Sequence, residues 1–178
     1  MTPASRNRTI GLASAAAVFL LDTWIKRLVL GPWNLREVGK IDLLPFFDLT
    51  WTRNFGISLG MLEATTAEAR LLLVALTGLI ACGVLVWLLR ERALGEIAGL
   101  ALILGGALGN IRDRISYGYV IDYADLHIGT FRPFMVFNVA DAAITIGVLI
   151  ILARALFMRE KPAAPQGGEL ADQSAEIS

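Results

Sequence analysis

The sequence predicts a mainly α-helical membrane protein, with four transmembrane helices and a small β-sheet on the outer side. Three observations point there. Hydrophobic residues make up 56% of the 178-residue chain and the mean hydropathy is +0.62, too apolar for an ordinary soluble domain. Apolar runs of roughly 20 residues recur, the length a helix needs to cross a hydrocarbon core of about 30 Å. Two stretches between those runs alternate in polarity as strands do. Residues 1–178 read as a single integral membrane domain.

Composition narrows the chemistry. Sixteen basic and sixteen acidic residues give zero net charge, and no basic block suggests nucleic acid as a partner. Cys82 is the only cysteine and His127 the only histidine. An internal disulfide, a cysteine metal cluster and a multi-histidine metal site are thereby excluded. A serine or cysteine nucleophile would have only His127 as its base. Carboxylates remain as the obvious reactive groups, with no cofactor and no metal site expected.

The first span, 9–30, carries Asp22, Lys26 and Arg27 in its second half. Arg6 and Arg8 precede it as in a signal peptide. Its apolar run, however, is followed by Asp22-Thr23-Trp24 and not by a small-residue cleavage site, so the span is expected to stay. In the outer segment 31–69, residues 47–53 alternate like a strand, and Gly56 and Gly60 are turn points. Trp33, Phe46, Phe47 and Trp51 are expected to form an interfacial belt. The second span, 70–90, has an uncharged centre, where Cys82 reads as packing. The third, 95–113, contains Gly99, Gly105, Gly106 and Gly109, which allow close helix contact; no Walker pattern follows them.

In the outer segment 114–135, residues 119–128 alternate. One face carries Val120, Asp122, Ala124, Leu126 and Ile128, the other Ile121, Tyr123, Asp125 and His127. Asp122, with apolar neighbours, is expected to face the helices; His127 reads as a solvated loop residue. The fourth span, 136–158, holds Asp141 near its start and Arg154 near its end. The tail 161–178, rich in Pro, Gly, Ala, Gln and acids, reads as disordered.

Four spans put both termini on one side. Arg6, Arg8, Arg90, Arg92, Arg159 and Lys161 share that side and favour the cytoplasm for it. Asp22, Lys26, Asn110, Asp113, Arg114, Asp122, Asn138 and Asp141 then all fall at one depth near the outer face. Asp22 and Lys26 are four apart and adjacent on a helix, which suits a structural ion pair. Asn110, Asp113 and Arg114 can share a face, and so can Asn138 and Asp141. Asp113 reads as a helix-end partner of Arg114, and Arg114 as a support for a carboxylate or a lipid headgroup. A carboxylate at a membrane is expensive unless paired or functional. Two brought together would share a proton. On these residues alone, a catalytic pair Asp122–Asp141, a purely structural role and a small four-span ion or proton carrier all stay open.

The order of motifs separates them. Asp22-Thr23-Trp24-Ile25-Lys26, Thr52-Arg53-Asn54-Phe55-Gly56, Gly109-Asn110-Ile111-Arg112-Asp113-Arg114, Val120-Ile121-Asp122-Tyr123 and Phe137-Asn138-Val139-Ala140-Asp141 follow one another through nearly the whole chain. In this it resembles bacterial lipoprotein signal peptidase, or signal peptidase II, an aspartic endopeptidase family of the bacterial cytoplasmic (inner) membrane. The resemblance implies Asp122 and Asp141 as the catalytic pair. It implies substrate-contacting or supporting roles for Asn54, Gly56, Asn110, Arg114, Asn138 and Ala140, and structural ones for Asp22, Lys26 and Asp113. The implied substrate is a diacylglyceryl-modified prolipoprotein cut before its lipidated cysteine. The enzyme is expected to work as a monomer among membrane lipids. The segment after Asn54 departs from the family's usual small residues, reading Phe55-Gly56-Ile57-Ser58-Leu59.

Overall fold

A computed structural model describes residues 2–56 and 66–157. The expected disordered tail, and Gly60 with the loop from Ile57 onward, lie outside the described residues. The order of elements is α1 (Pro3–Leu30), α2 (Leu35–Val38), β1 (Lys40–Leu44), β2 (Phe47–Asn54), α3 (Ala67–Arg90), α4 (Leu94–Tyr117), β3 (Val120–Leu126) and α5 (Val139–Phe157). Local chemistry sets the helix ends. Thr2 caps α1 by accepting from the Ser5 amide at 3.2 Å, with Pro3 in the first turn. Thr66 caps α3 in the same way through the Ala69 amide.

Three helices, α3, α4 and α5, are long and apolar enough to cross a membrane. The fold is therefore that of a mainly helical membrane protein with at least three candidate spans, one fewer than expected. The 28-residue α1 is long enough, but Asp22, Lys26 and Arg27 interrupt its apolar character. Of the three candidates α4 is the central helix: half of its most apolar stretch is buried, against 17% for α3 and α5. Close packing explains its glycines. A side chain on Gly105 would strike the Ala15 carbonyl of α1, and one on Gly106 the Ala140 carbonyl of α5. Around α4, Ala15, Ala81, Leu88, Leu100, Ala101 and Leu104 form the bundle core. Leu71, Leu72 and Leu79 on α3 are about 70% exposed, as a lipid-facing surface requires. Cys82 is exposed on the same helix, so it does not fill the packing role expected of it.

The third span runs further than expected. α4 continues through Arg114 to Tyr117 and stops at Gly118, whose φ of +85° is the left-handed cap position. Residues 114–117, assigned from sequence to the outer segment, are helical. α5 conversely begins at Val139, not 136.

The three strands form one antiparallel sheet in the order β1-β2-β3. It rests on Val29 at the end of α1 and Leu35 of α2 through Leu49, Ile121, Tyr123 and Ala124. β1 and α2, five and four residues long, are too short to show a period in the sequence. The expected two-faced character of β3 is corrected: residues 120–125 are all buried, Ile121, Tyr123 and Ala124 in an apolar cluster with Val29 and Leu35, and Asp122 and Asp125 each among polar side chains. The expected aromatic belt is also divided. Trp33 and Phe46 are exposed, whereas Phe47 and Trp51 pack against the core beneath the sheet.

One irregularity positions the site. Leu49 pairs with Ala124, but Thr52 pairs with Asp122, so β2 carries an extra residue between them. A regular ladder would put Trp51 and Arg53 on the face of Asp122. The bulge shifts the phase and puts Thr52 and Asn54 there instead.

Candidate active site

The first turn of α5 is built around Asn138, which is fully buried. Its Oδ1 accepts from the Asp141 amide at 2.8 Å, and the Asp141 Oδ2 accepts from the Asn138 amide at 3.3 Å. This reciprocal cap fixes both the start of α5 and the Asp141 carboxylate. The remaining group of Asn138, its Nδ2, donates to Asp122 Oδ1 at 2.6 Å. A single asparagine therefore holds both aspartates.

A second asparagine closes the arrangement. Asn110 on α4 donates from Nδ2 to Asp141 Oδ1 at 2.7 Å, while its Oδ1 accepts from Asn138 Nδ2 at 3.3 Å and Lys26 Nζ at 3.4 Å. Asn54, brought onto this face by the bulge, donates to Asp122 Oδ2 at 3.0 Å. Its own Oδ1 accepts from the Gly56 amide at 3.1 Å, and Arg114 Nη2 donates to the Gly56 carbonyl at 2.8 Å. Gly56 is thus the link by which Arg114 holds the Asn54 turn.

Behind the asparagines lies a buried ion cluster. Lys26 Nζ stands 2.8 Å from Asp22 Oδ2 and 2.7 Å from Asp113 Oδ2, with all three side chains fully buried. Asp22 Oδ1 accepts from the Ala140 amide at 3.0 Å, and Asp113 Oδ2 from the Ile121 amide at 3.3 Å. The cluster therefore ties α1 and α4 to both the start of α5 and the strand bearing Asp122. Ala140 acts through its backbone amide. The expected pair Asp113–Arg114 is corrected: the cationic partners of Asp113 are Lys26 and Arg112. Arg114, 8% exposed, bonds to carbonyls, not to a carboxylate.

Asp122 and Asp141 differ in their surroundings. Asp122 is 2% exposed. Burial raises its carboxyl to about 7, the nearby Asp141 pushes the same way, and the amide donors of Asn54 and Asn138 oppose them. Asp141 is only partly buried. The pair thus combines a carboxyl that retains a proton near neutrality with a more accessible partner, as acid–base hydrolysis requires. Arg114 also lines, with Ala67, Arg70, Leu71, Val74 and Ile115, a groove of about 320 Å³ between α3 and α4. Among the described residues no cluster of side chains suits a metal ion.

All of the sequence-selected site residues converge on this end of the bundle. His127 is the exception to its reading as solvated. Its ring is largely buried, with Nε2 2.7 Å from Asp48 Oδ2. Lys40, at 2.8 Å, is the other partner of Asp48 and holds that carboxyl below its usual range. Asp125 is likewise buried and takes Thr50 and Arg132 as donors. These clusters brace the far part of the sheet. Alternation alone does not show them, because it places Asp125 on a face expected to be solvated.

Comparison with known proteins bears on this geometry. Residues 14–157 match the family described as Signal peptidase (SPase) II. The lipoprotein signal peptidase of Sphingopyxis alaskensis is 58% identical over 151 residues, covering 85% of this chain and 87% of that protein. That of Rhizorhabdus wittichii is 54% identical over 156 residues, covering 88% and 91%. A solved bacterial membrane enzyme, determined by the in meso method, superposes with a TM-score of 0.72 at 26% identity, covering 88% of this chain and 95% of its own.

Proposed function

The chain belongs to the signal peptidase II family, and on that premise we propose that it is an aspartic endopeptidase removing signal peptides from diacylglyceryl-modified prolipoproteins, with Asp122 and Asp141 as its catalytic pair. One observation carries the assignment: Asn138 bonds to both aspartates at once, to the Asp122 carboxylate at 2.6 Å and to the Asp141 amide at 2.8 Å.

The pair shares one proton, held at rest by the buried Asp122. Asp141 takes a proton from a water molecule between the carboxyls, and the oxygen attacks the carbonyl carbon before the lipidated cysteine. Asp122 donates to the developing oxyanion. Collapse breaks the C–N bond as a proton passes to the cysteine amine, leaving a free carboxylate on the signal peptide. Asn54, Asn110 and Asn138 hold the carboxyls in place and supply the only side-chain donors they accept from among the described residues. The groove between α3 and α4 suits an acyl chain, with Arg70 and Arg114 for its polar end.

In this reading α1 crosses the membrane as a fourth span. Of the three charged residues in its second half, Asp22 and Lys26 turn into the bundle and Arg27 lies in the last turn of the helix. The termini lie in the cytoplasm and the site near the outer face of the bacterial inner membrane, as the basic residues of the tails and of the α3–α4 turn favour. Every group of the site comes from one chain, so a monomer suffices. A carrier finds no support: its carboxylates should line a path between the two faces, whereas the buried acids of the bundle cluster at one end of it.

Incubation of the purified full-length chain with a lipid-modified prolipoprotein, followed by mass spectrometry, tests the function. Release of the signal peptide with a new amine on the lipidated cysteine is expected. No cleavage under conditions where a relative is active contradicts it.

A further inference from the structure

The sheet ends in two tight turns whose flanks are apolar and exposed. β1 and β2 join through Pro45 and Phe46, with Leu44 paired to Phe47. A second hairpin turns at Gly129 and Thr130, where Ile128 and Phe131 exchange backbone hydrogen bonds of 2.8 and 3.1 Å. The His127 amide donates to the Phe46 carbonyl at 3.0 Å, so both turns lie at one end of the sheet. Pro45 and Gly129 at the reversals are ordinary turn residues, so the unusual feature is the residues on either side. Here Leu43, Leu44, Phe46, Ile128, Phe131 and Phe134 are each at least half exposed.

Six large exposed apolar side chains gathered at one end of the sheet give a surface that water disfavours. The patch is only a few residues before α5, a helix apolar enough to cross the membrane, so a bilayer is near at hand. Arg132, half exposed and bonded to the buried Asp125, stands beside Phe131 with a cation suited to lipid phosphate. Behind the patch, the pairs Asp48–His127 and Asp125–Arg132 brace the strands that bear it.

We propose that the paired turns at 43–46 and 128–134 are a membrane foot, inserted into the headgroup and upper acyl region of the leaflet on the sheet's side. The partner is a lipid surface, engaged by apolar side chains with Arg132 at the phosphates. The foot lies about 20 Å along β3 from Asp122, at roughly 3.3 Å per residue. It would anchor the far end of the sheet while the near end holds Asn54 and Asp122 over the helices.

The test uses the full chain carrying Cys82→Ala and one new cysteine, Phe131→Cys, labelled with an environment-sensitive fluorophore. The protein is reconstituted into phosphatidylethanolamine–phosphatidylglycerol vesicles with lipids brominated on the upper acyl chain. The expected result is strong quenching by the bromolipids and protection from aqueous iodide. A label at Asp42→Cys, on the polar face of the sheet, should show the reverse. Ile128→Cys provides the same readout should the Phe131 variant fail to fold. Iodide quenching at 131 equal to that at 42 overturns the proposal. Efficient disulfide crosslinking between Phe131→Cys copies also overturns it, since a second copy would then cover the patch.

Discussion

Asn138 and Asp141 cap each other, side chain to backbone in both directions, at 2.8 and 3.3 Å. The same Asn138 reaches across to Asp122. Helix start and carboxylate placement are therefore one structural event, and its two parts can be separated by mutation.

Asn138→Ser keeps a side-chain oxygen for the cap but loses the amide donor to Asp122. It should retain stability within about 1 kcal/mol while kcat/KM falls by roughly 10²–10³, the usual cost of one donor at a reacting centre. Asn138→Ala should lose both. Thermal unfolding in detergent, run beside the cleavage assay, distinguishes the two effects.

The pH dependence follows from Asp122. Its carboxyl is raised from 3.8 to about 7, so the folded state holds a proton that the unfolded chain has released. That stabilising contribution is complete below pH 3.8 and is lost as pH rises through about 7. Cleavage should fall on the same alkaline limb as the pair loses its shared proton. Asp122→Asn should raise the unfolding temperature relative to wild type at pH 8 by more than it does at pH 5. A pH–rate profile and a pair of melting curves check the two parts.

Lys26 neutralises Asp22 and Asp113 with all three side chains fully buried. Removing it strands two carboxylates, so Lys26→Met should destabilise by about 3–5 kcal/mol. The cost is read as loss of folded protein in detergent, before any assay of activity.

Gly106 lets α4 approach the Ala140 carbonyl. Gly106→Val should force the helices apart, cost about 1–3 kcal/mol and displace the turn carrying Asn138 and Asp141. Activity should fall further than stability does, measured by cleavage rate at a temperature where the variant is still folded.

The long apolar helices and the convergence of the candidate site residues were legible in the sequence because long apolar runs make charged exceptions visible. Asp22, Lys26, Asn110, Asp113 and Asp141 each interrupt such a run. Partners were less legible. Lys26, not Arg114, takes Asp113, because partner choice depends on how close α1 and α4 approach, which the glycines permit but do not specify. Alternation preferred Asp122 to Asp125 as the one facing the helices, whereas β3 is buried on both faces and each aspartate has its own polar partners. Plain alternation of β2 would have turned Asn54 away from Asp122, and only the bulge between Leu49 and Thr52 brings it back. A one-residue change of phase leaves no mark in a polarity pattern. His127 was misread for a related reason: its partner Asp48 lies on the neighbouring strand.

The central claim is that hydrolysis needs both carboxylates. The most direct measurement is the single-turnover cleavage of a lipid-modified prolipoprotein by purified Asp122→Asn and Asp141→Asn beside the wild type. Each variant should melt as a folded protein and release no signal peptide above the uncatalysed background. Substantial turnover by either folded variant would contradict the assignment of Asp122 and Asp141 as the catalytic pair.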